Sequence, residues 1–207
     1  EYLPFEPPAS VVYLASTVPS SLNSRFPRDI DLLVPFQGDP RKGFERMLAC
    51  VKLALQSGRL GPIPKVAVFG RSTMFESQTL NELVQEFPEA LERIPAPSDK
   101  ELTTLYSRAK TFLYLSESEG FGLPPVEALA RGCIAVVPDN TSLSEVFGNW
   151  PFLLDAEYSN EDAIAAVEKG LAMCSRQTTI DCVRYARTFS WSRTTSLHLA
   201  TFAKMLG

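Results

Sequence analysis

The sequence offers few side chains that could hold a metal ion or form a disulfide framework. Its 207 residues include a single histidine, His198, and four cysteines, none of which forms a C-x-x-C pair. A zinc site, a disulfide framework and a histidine-based catalytic triad are therefore not expected. Cys50 and Cys133 lie inside apolar segments, which predicts reduced, mostly buried thiols in a cytoplasmic protein.

Positive charge and long apolar runs are also scarce. Twenty lysines and arginines stand against 24 aspartates and glutamates, a formal net charge of −4, and a chain without a basic block is not expected to bind nucleic acid. No apolar run reaches the roughly 18 residues of a membrane span, and the first residues lack the basic and apolar regions of a signal peptide. We expect a soluble protein in the cytoplasm, with peripheral association at the inner face of a membrane left open.

Three familiar ligand motifs are absent or misplaced. Neither the G-x-G-x-x-G fingerprint of dinucleotide-binding folds nor the G-x-x-x-x-G-K-[ST] phosphate loop occurs. The triplet Asp29-Ile30-Asp31 matches a D-x-D metal motif, but that motif follows a hydrophobic strand, whereas this triplet precedes one. We therefore expect no metal site and no bound cofactor.

The amino-terminal region has an unusual composition. Seven of the 16 prolines fall within the first 40 residues, and residue 1 is a glutamate rather than a methionine. Residues 1–28 are predicted to be a linker or arm that follows a missing amino-terminal part, with a short strand at VVYLAS, residues 11–16. Residues 29–207 are predicted to form the folded domain, so we expect the sequence to be a piece of a longer chain.

In the rest of the chain, short apolar segments alternate with amphipathic segments. Phe44, Met47, Leu48, Val51 and Leu55 recur at the spacing of one helix face. The predicted strands cover residues 31–36, 65–69, 91–94, 111–115, 133–137 and 152–154, and the predicted helices begin near residues 44, 77, 98, 124, 160 and 191.

This alternation predicts parallel βαβ units. The expected fold is an α/β domain with an open, doubly wound parallel sheet of the Rossmann-like type and helices on both faces. In such sheets, ligands bind outside the carboxyl ends of the strands, beside the helix N-termini. The turns that follow the strands are therefore where the site is expected.

The segment SESEGFGLPP, residues 116–125, links a predicted strand to a predicted helix. Gly120 and Gly122 would let a ligand approach the backbone, and free amides at a helix start favour an anion such as phosphate. Glu119 and Glu127 could accept hydrogen bonds from neighbouring hydroxyls, which suits a sugar nucleotide. The alternative is that Glu127 complements the helix dipole and that Glu119 is a solvated loop charge.

Two further turns follow predicted strands. In GDPRKG, Arg41 and Lys42 stand before a helix, where they and the helix dipole would stabilise a phosphate; the alternative is a solvated basic pair. The third candidate is Gly70-Arg71-Ser72. All three candidates fall at the same edge of the predicted sheet, and this convergence strengthens each of them.

The run SESEGFGLPPVEALARGCIAVVPDNTSLSEV resembles the signature segment of retaining glycosyltransferases of the GT-B fold, family 4, also called glycosyl transferases group 1. The E-x7-E pattern of that family appears here as Glu119 and Glu127, with GFGLP between them. Four other segments are similar to the family: LLVPFQGDPRKGFERML, SDKELTTLYSRAKTFLYLS, FLLDAEYSNEDAIAAV and FSWSRTTSLHLATFAKML. The resemblance covers about residues 29–206 and implies the C-terminal, donor-binding half of such an enzyme.

The resemblance also implies roles for individual residues. Glu119 would be the catalytic residue, which contacts and positions the donor sugar, and Glu127 would bind the ribose hydroxyls. Backbone groups near Ile94–Ala96 would recognise the nucleobase. The other donor-binding residues, acting through charge or backbone amides, would be Arg41, Lys42, Arg71, Gly120, Phe121, Gly122 and Leu123. The donor would be a nucleotide-diphosphate sugar, and no metal or cofactor would be required.

The resemblance implies a second domain as well. A GT-B enzyme binds its acceptor in an amino-terminal domain of the same polypeptide, which is missing here, and the acceptor would be a glycan, a lipid or another carbohydrate. Half of the cleft cannot hold both substrates in one geometry. We therefore do not expect this fragment to be active alone.

One position departs from the family pattern. Phe36 stands where the family usually carries an arginine that binds phosphate. Either Arg41 or Arg71 takes over that role, or donor binding is weak. The alternative function is therefore a degenerate, non-catalytic glycosyltransferase-like module used for binding or assembly.

Overall fold

The short apolar segments pair as parallel strands in the computed structural model, which describes residues 12–18, 27–70 and 77–206. The strands run in the order β3-β2-β1-β4-β5-β6 across one sheet, and every pairing is parallel. Their bounds are β1 (Ile30–Phe36), β2 (Val66–Gly70), β3 (Leu91–Pro95), β4 (Ala109–Leu113), β5 (Ile134–Pro138) and β6 (Leu153–Leu154).

Helices cover both faces of this sheet. Their bounds are α1 (Phe44–Gln56), α2 (Gln78–Glu86), α3 (Asp99–Arg108), α4 (Leu123–Ala130), α5 (Thr141–Phe147), α6 (Asn160–Met173), α7 (Arg176–Ala186) and α8 (Trp191–Leu206). Helix α1 packs with α2 and α6, and α4 packs with α3 and α7. The predicted doubly wound α/β fold is thus confirmed. Of the helices in the described ranges, none combines the length and the apolar character needed to cross a membrane.

The core lies between the sheet and these helices, as the hydrophobic pattern predicts. Met47, Leu48 and Val51 are almost fully buried on one face of α1, because residues at this spacing share a helix face. Ser98 caps α3 in a capping box with Glu101, which fixes where that helix begins. The four cysteines are free, and three of them are buried, in agreement with the prediction.

The structure differs from the sequence-based expectation in four elements. Strand β4 begins and ends two residues earlier than predicted. Helices α5 and α7 were not predicted, since both are short or polar. The proposed strand at VVYLAS is wrong, because residues 12–16 have irregular backbone. The other parts of the predicted arm, residues 1–11 and 19–26, lie outside the described residues, and the domain boundary at residue 29 stays a prediction.

Gly43 allows the turn after β1 to lie directly against the end of β4. It follows a short 3-10 turn, Pro40–Lys42, and has a left-handed φ of 65°. A Cβ atom at this position would lie 2.1 Å from the carbonyl oxygen of Leu115. Only glycine can therefore occupy this position without moving one of the two backbones.

We predict that Gly43→Ala destabilises the fold by at least about 3 kcal/mol, because left-handed strain of about 1–2 kcal/mol adds to a backbone collision. Gly58→Ala is the matched control, since Gly58 has a similar φ of 68° but a Cβ placed on it would have no atom within 4 Å; it should cost only the strain. Chemical denaturation of both variants measures the difference. Equal losses of stability would show that the contact with Leu115 is not tight.

Candidate functional site

The site lies where the chain changes direction across the sheet. Strands β1 and β4 are neighbours, but β1 leads to β2 on one side and β4 leads to β5 on the other. The turn after β1 and the loop after β4 therefore meet at the carboxyl edge, the usual ligand position in such sheets. The amide of Glu117 donates a hydrogen bond of 2.8 Å to the carbonyl of Arg41, and the Ser116 hydroxyl donates one of 3.2 Å to the same oxygen.

Lys42 and Glu119 form an ion pair across this junction. The Lys42 Nζ lies 2.7 Å from Glu119 Oε1, and the two side chains are 23% and 8% exposed. The hydroxyl of Tyr114, which is itself buried, donates to the same carboxylate oxygen. Burial acts to raise the pKa of Glu119, but hydrogen bonds from Lys42, Tyr114 and Ser116 outweigh it and hold that pKa below its ordinary value. Glu119 is therefore a fixed, ionised carboxylate and not a solvated loop charge.

A second set of polar contacts holds the Glu119 loop from the side of β5. The amide of Glu119 donates to Thr141 Oγ1 at 3.1 Å, and the Ser142 hydroxyl donates to the Glu119 carbonyl at 2.8 Å. The Asn140 side-chain amide donates to the carbonyl of Ser116 at 2.9 Å. Sequence reasoning missed these three residues and Tyr114. The Asn-Thr-Ser run after a predicted strand could have indicated them, because it falls at the same sheet edge.

The GFGLP segment presents its backbone and buries its aromatic side chain. Phe121 is 7% exposed and its ring packs against Phe189 at 5.5 Å, so only its backbone can face a ligand. Gly122 has a φ of 87°, and a Cβ there would lie 2.5 Å from Leu143 Cδ2. The prolines at positions 124 and 125 of α4 have no amide hydrogen. The amides available to an anion at this helix start therefore come from residues 120–123.

Glu127 lies in a groove between α3 and α4. It is the fifth residue of α4, beyond the first turn in which the helix dipole acts, so the dipole explanation is disfavoured. Its carboxylate is half-buried, and no hydrogen bond to it forms within the described residues. Burial raises its pKa, with Asp99 adding to the rise and Arg131 opposing it. The groove is lined by Ser16, Thr17, Asp99, Leu102, Thr103, Tyr106, Glu127 and Arg131.

A neighbouring cleft opens at the carboxyl ends of β1, β2 and β3. Phe36, Gly70 and Ala96 line it, and it shares Asp99 and Leu102 with the groove that holds Glu127. Ala96 has a left-handed φ of 44°, held by a hydrogen bond from its amide to the Gly70 carbonyl. This cleft includes part of the region predicted to recognise a nucleobase.

Phe36, which replaces the family's phosphate-binding arginine, and Arg41, which was predicted to bind phosphate, have different surroundings. The ring of Phe36 packs against Phe44 with a centroid distance of 4.3 Å, which leaves an apolar surface where the family resemblance implies a cation. Arg41 is 72% exposed in its side chain and pairs with Asp39 at 2.7 Å. Arg71 lies outside the described residues, and its role stays a prediction. The structure thus brings Lys42 and Glu119 together and leaves Arg41 in a separate surface pair.

Comparison with known proteins confirms the family resemblance. The model of the family "Glycosyl transferases group 1" matches residues 25–188. The serotype-specific mannosyltransferase WbdA of Escherichia coli is 32% identical over 111 residues, which are 53% of this chain and 14% of that protein. A GDP-mannose:cellobiosyl-diphosphopolyprenol alpha-mannosyltransferase of Xanthomonas oryzae pv. oryzae is 29% identical over 100 residues, 47% of this chain and 26% of that protein. The chain thus spans a minor part of the curated relatives that it matches.

Solved structures show the same fold. AviGT4, a glycosyltransferase involved in avilamycin A biosynthesis, superposes with a TM-score of 0.69 at 16% identity and covers 96% of this chain and 59% of its own. The GtfA/B complex superposes with a TM-score of 0.68 at 19% identity, covering 93% of this chain and 38% of its own. At such low identity, the likeness establishes the fold alone.

We predict that Lys42→Met destabilises the fold by about 2–3 kcal/mol at pH 7. Removing one partner of a buried ion pair costs about 3–5 kcal/mol, and the partial exposure of Lys42 reduces that cost. Because the pKa of Glu119 is depressed in the folded chain, the pair stabilises at neutral pH and this stabilisation is lost as the pH falls through that pKa. The difference between the two proteins should therefore shrink below pH 4.5, the ordinary value for glutamate.

Arg41→Met is the control for that measurement, because it breaks the neighbouring but exposed pair with Asp39 and should leave the unfolding midpoint unchanged. Urea denaturation at several pH values tests both variants. A loss of stability in Lys42→Met that does not depend on pH would contradict the role given to the Glu119 carboxylate.

Proposed function

The chain belongs to the glycosyl transferases group 1 family, and from that premise we propose that it is the donor-binding domain of a retaining, metal-independent glycosyltransferase. The observation that carries the proposal is the arrangement at the switch point. A fixed carboxylate, Glu119, and a cation, Lys42, meet beside the free amides of residues 120–123, and Glu127 lies in the adjoining groove. These groups match the parts of a nucleotide-diphosphate sugar in order: sugar, diphosphate and ribose.

Each part of the donor would meet a group of suitable chemistry. The sugar hydroxyls would donate to Glu119, which stays ionised because its pKa is held low. Lys42 and the loop amides would stabilise the negative charge that grows on the departing diphosphate, and fixed donors of this kind can lower a barrier by about 3 kcal/mol each. Glu127 would accept hydrogen bonds from the ribose hydroxyls, and the cleft at Ala96 would hold the base.

A mannosyl donor is the specific substrate class that we propose. The relatives that support it are the mannosyltransferases WbdA and the O-antigen chain mannosyltransferase B of Escherichia coli, which is 44% identical over 68 residues. The name of the Xanthomonas relative specifies GDP-mannose. GDP-mannose is therefore the first donor to test.

The acceptor half of the enzyme would lie in another domain. We propose that an amino-terminal domain of the same polypeptide binds the acceptor, a glycan or lipid-linked carbohydrate, since the chain spans a minor part of its relatives. Transfer needs both substrates in one geometry. We place the protein in the cytoplasm, where its free thiols stay reduced. A lipid-linked acceptor would bring the full-length protein to the inner face of a membrane.

A degenerate binding module is the second candidate. It is favoured by Phe36, which gives the cleft an apolar surface, and by the ion pairs that already engage Arg41 and Lys42. Such a module would bind a glycan or a protein without turnover. It predicts that nucleotide sugars do not bind even when the domain is folded.

Calorimetry with GDP-mannose and with UDP-, ADP- and dTDP-glucose distinguishes the two candidates. We expect one nucleotide class to bind with a dissociation constant below the millimolar range. If none binds at millimolar concentration while circular dichroism shows a folded domain, the donor-binding proposal is wrong and the binding module is favoured.

Glu127→Ala should weaken binding of that nucleotide about 10-fold or more, since a lost charge-assisted hydrogen bond is worth about 1.5–3 kcal/mol. Glu89→Gln, at the opposite edge of the sheet, is the control and should bind normally. Burial raises the pKa of Glu127 above the ordinary glutamate value of 4.5. As the pH is lowered, the affinity for the nucleotide should therefore begin to fall while the pH is still above 4.5. Unchanged affinity in Glu127→Ala would remove Glu127 from the site.

A further inference from the structure

The segment of residues 12–18 is bound to the domain rather than extended away from it. The ring of Tyr13 packs edge-on against Phe189 at 5.9 Å, and its hydroxyl donates to the carboxylate of Glu145. The amide of Ser16 donates to the carbonyl of Phe189 at 3.1 Å. These contacts reach the end of α7 and the surface of α5, so the segment is fixed at both its beginning and its middle.

Two further contacts connect this segment to the site. The Thr194 hydroxyl of α8 donates to the Tyr13 carbonyl at 2.8 Å. The Tyr13 ring also lies 6.4 Å from the ring of Phe121, the buried aromatic residue of the GFGLP loop. The segment is therefore held by the same cluster that anchors the loop behind Glu119.

The fixed segment places two hydroxyl groups in the groove of Glu127. Ser16 and Thr17 both line that groove. Ser16 as a whole residue is only 7% exposed, and no hydrogen bond to its hydroxyl forms within the described residues. Because none of the fully buried side-chain polar atoms in the described residues lacks a partner, this hydroxyl is one that still reaches the groove. It is therefore free to donate to, and accept from, a ligand bound there.

The charges of the groove restrict what that ligand can be. It contains two carboxylates, Asp99 and Glu127, and one guanidinium, Arg131, so its net charge is negative and a phosphate is disfavoured there. Leu102 and Tyr106 add apolar surface. A carboxylate only accepts hydrogen bonds, whereas a serine hydroxyl donates and accepts. An uncharged ring with two neighbouring hydroxyls, such as ribose, satisfies both.

We propose that Ser16, with Thr17 beside it, binds the ribose hydroxyls of the donor in the groove that also holds Glu127. The proposal rests on the donor-binding function given above and extends it to a segment outside the predicted domain. Residues 12–18 are then a wall of the donor site and not only a spacer. Anything that displaces the segment would open the ribose groove.

The test uses Ser16→Ala and Thr17→Val, with Ser192→Ala and Thr195→Val as matched controls on the exposed surface of α8. Calorimetry with GDP and UDP measures the dissociation constants. We expect Ser16→Ala to weaken the binding of the preferred nucleotide about 3- to 10-fold, the loss of one hydrogen bond, and the controls to bind as the parent chain does. The unfolding midpoint of Ser16→Ala without nucleotide should not fall, because its hydroxyl has no partner within the described residues.

Nucleotides without ribose hydroxyls complete the test. With 2′,3′-dideoxy-GDP or 2′,3′-dideoxy-UDP, the parent chain and Ser16→Ala should bind equally, because the interaction between the two groups is gone. If the parent chain binds GDP or UDP and Ser16→Ala binds them just as tightly, the role of Ser16 is refuted while the donor-binding function stands. If the parent chain binds neither nucleotide, both proposals fail together.

Discussion

The backbone of Gly43 lies against the carbonyl of Leu115, and this contact joins the turn after β1 to the loop after β4. Because the two strands are neighbours that lead in opposite directions across the sheet, their loops are the ones that a ligand at the switch point must meet. The contact brings Lys42 within 2.7 Å of Glu119. A larger residue at position 43 would separate the loops, and the cation and the carboxylate would no longer form one site.

The loop that contains Glu119 combines a rigid support with an open backbone. Phe121 anchors it from below through a cluster of aromatic rings that includes Tyr13, Phe189 and Tyr185, and residues 140–142 hold it from the side through hydrogen bonds. A Cβ placed on Gly120, in contrast, would have no atom within 4 Å. Fixed donors stabilise developing charge without reorganising, so this division between side chains that anchor and amides that face outward suits a site for an anionic leaving group.

The fold was largely predictable because buried parallel strands and amphipathic helices have different periods. Helix α1 begins where its apolar spacing begins, and the capping box of Ser98 marks the start of α3. Strand β4 was placed two residues late because Tyr114 and Leu115 are as buried as the strand itself, and burial alone does not tell where strand pairing ends. Helix α7 carries few apolar residues, so its stabilisation comes from packing against α4, which no local pattern shows.

The candidate site was predictable only in part, because the sequence pattern predicts where the strands end but not which side chains contact each other there. The rule that parallel strands end at one edge was enough to bring Lys42, Glu119 and Glu127 into one region. The rule could not predict that Lys42 pairs with Glu119 and Arg41 with Asp39. Which carboxylate each cation contacts depends on the direction of its side chain from the turn. Residues 12–18 were predicted to be an arm or a strand because a short apolar segment lies there within a proline-rich, loop-like region. Their position depends on Tyr13 and Ser16 contacting residues far away in the chain.

The charge balance at this edge has a consequence for how a donor would be held. Lys42 is already neutralised by Glu119, and Phe36 supplies no charge where a cation would strengthen the hold on a diphosphate. A bound diphosphate would therefore share Lys42 with Glu119 and depend on backbone amides for the rest of its stabilisation. Affinity would then come mainly from the proposed base and ribose subsites, whose walls would be formed by Ala96, Glu127 and Ser16. In such an arrangement the nucleoside would anchor the donor, and the nucleoside diphosphate released by transfer would still be held mainly through its base and ribose.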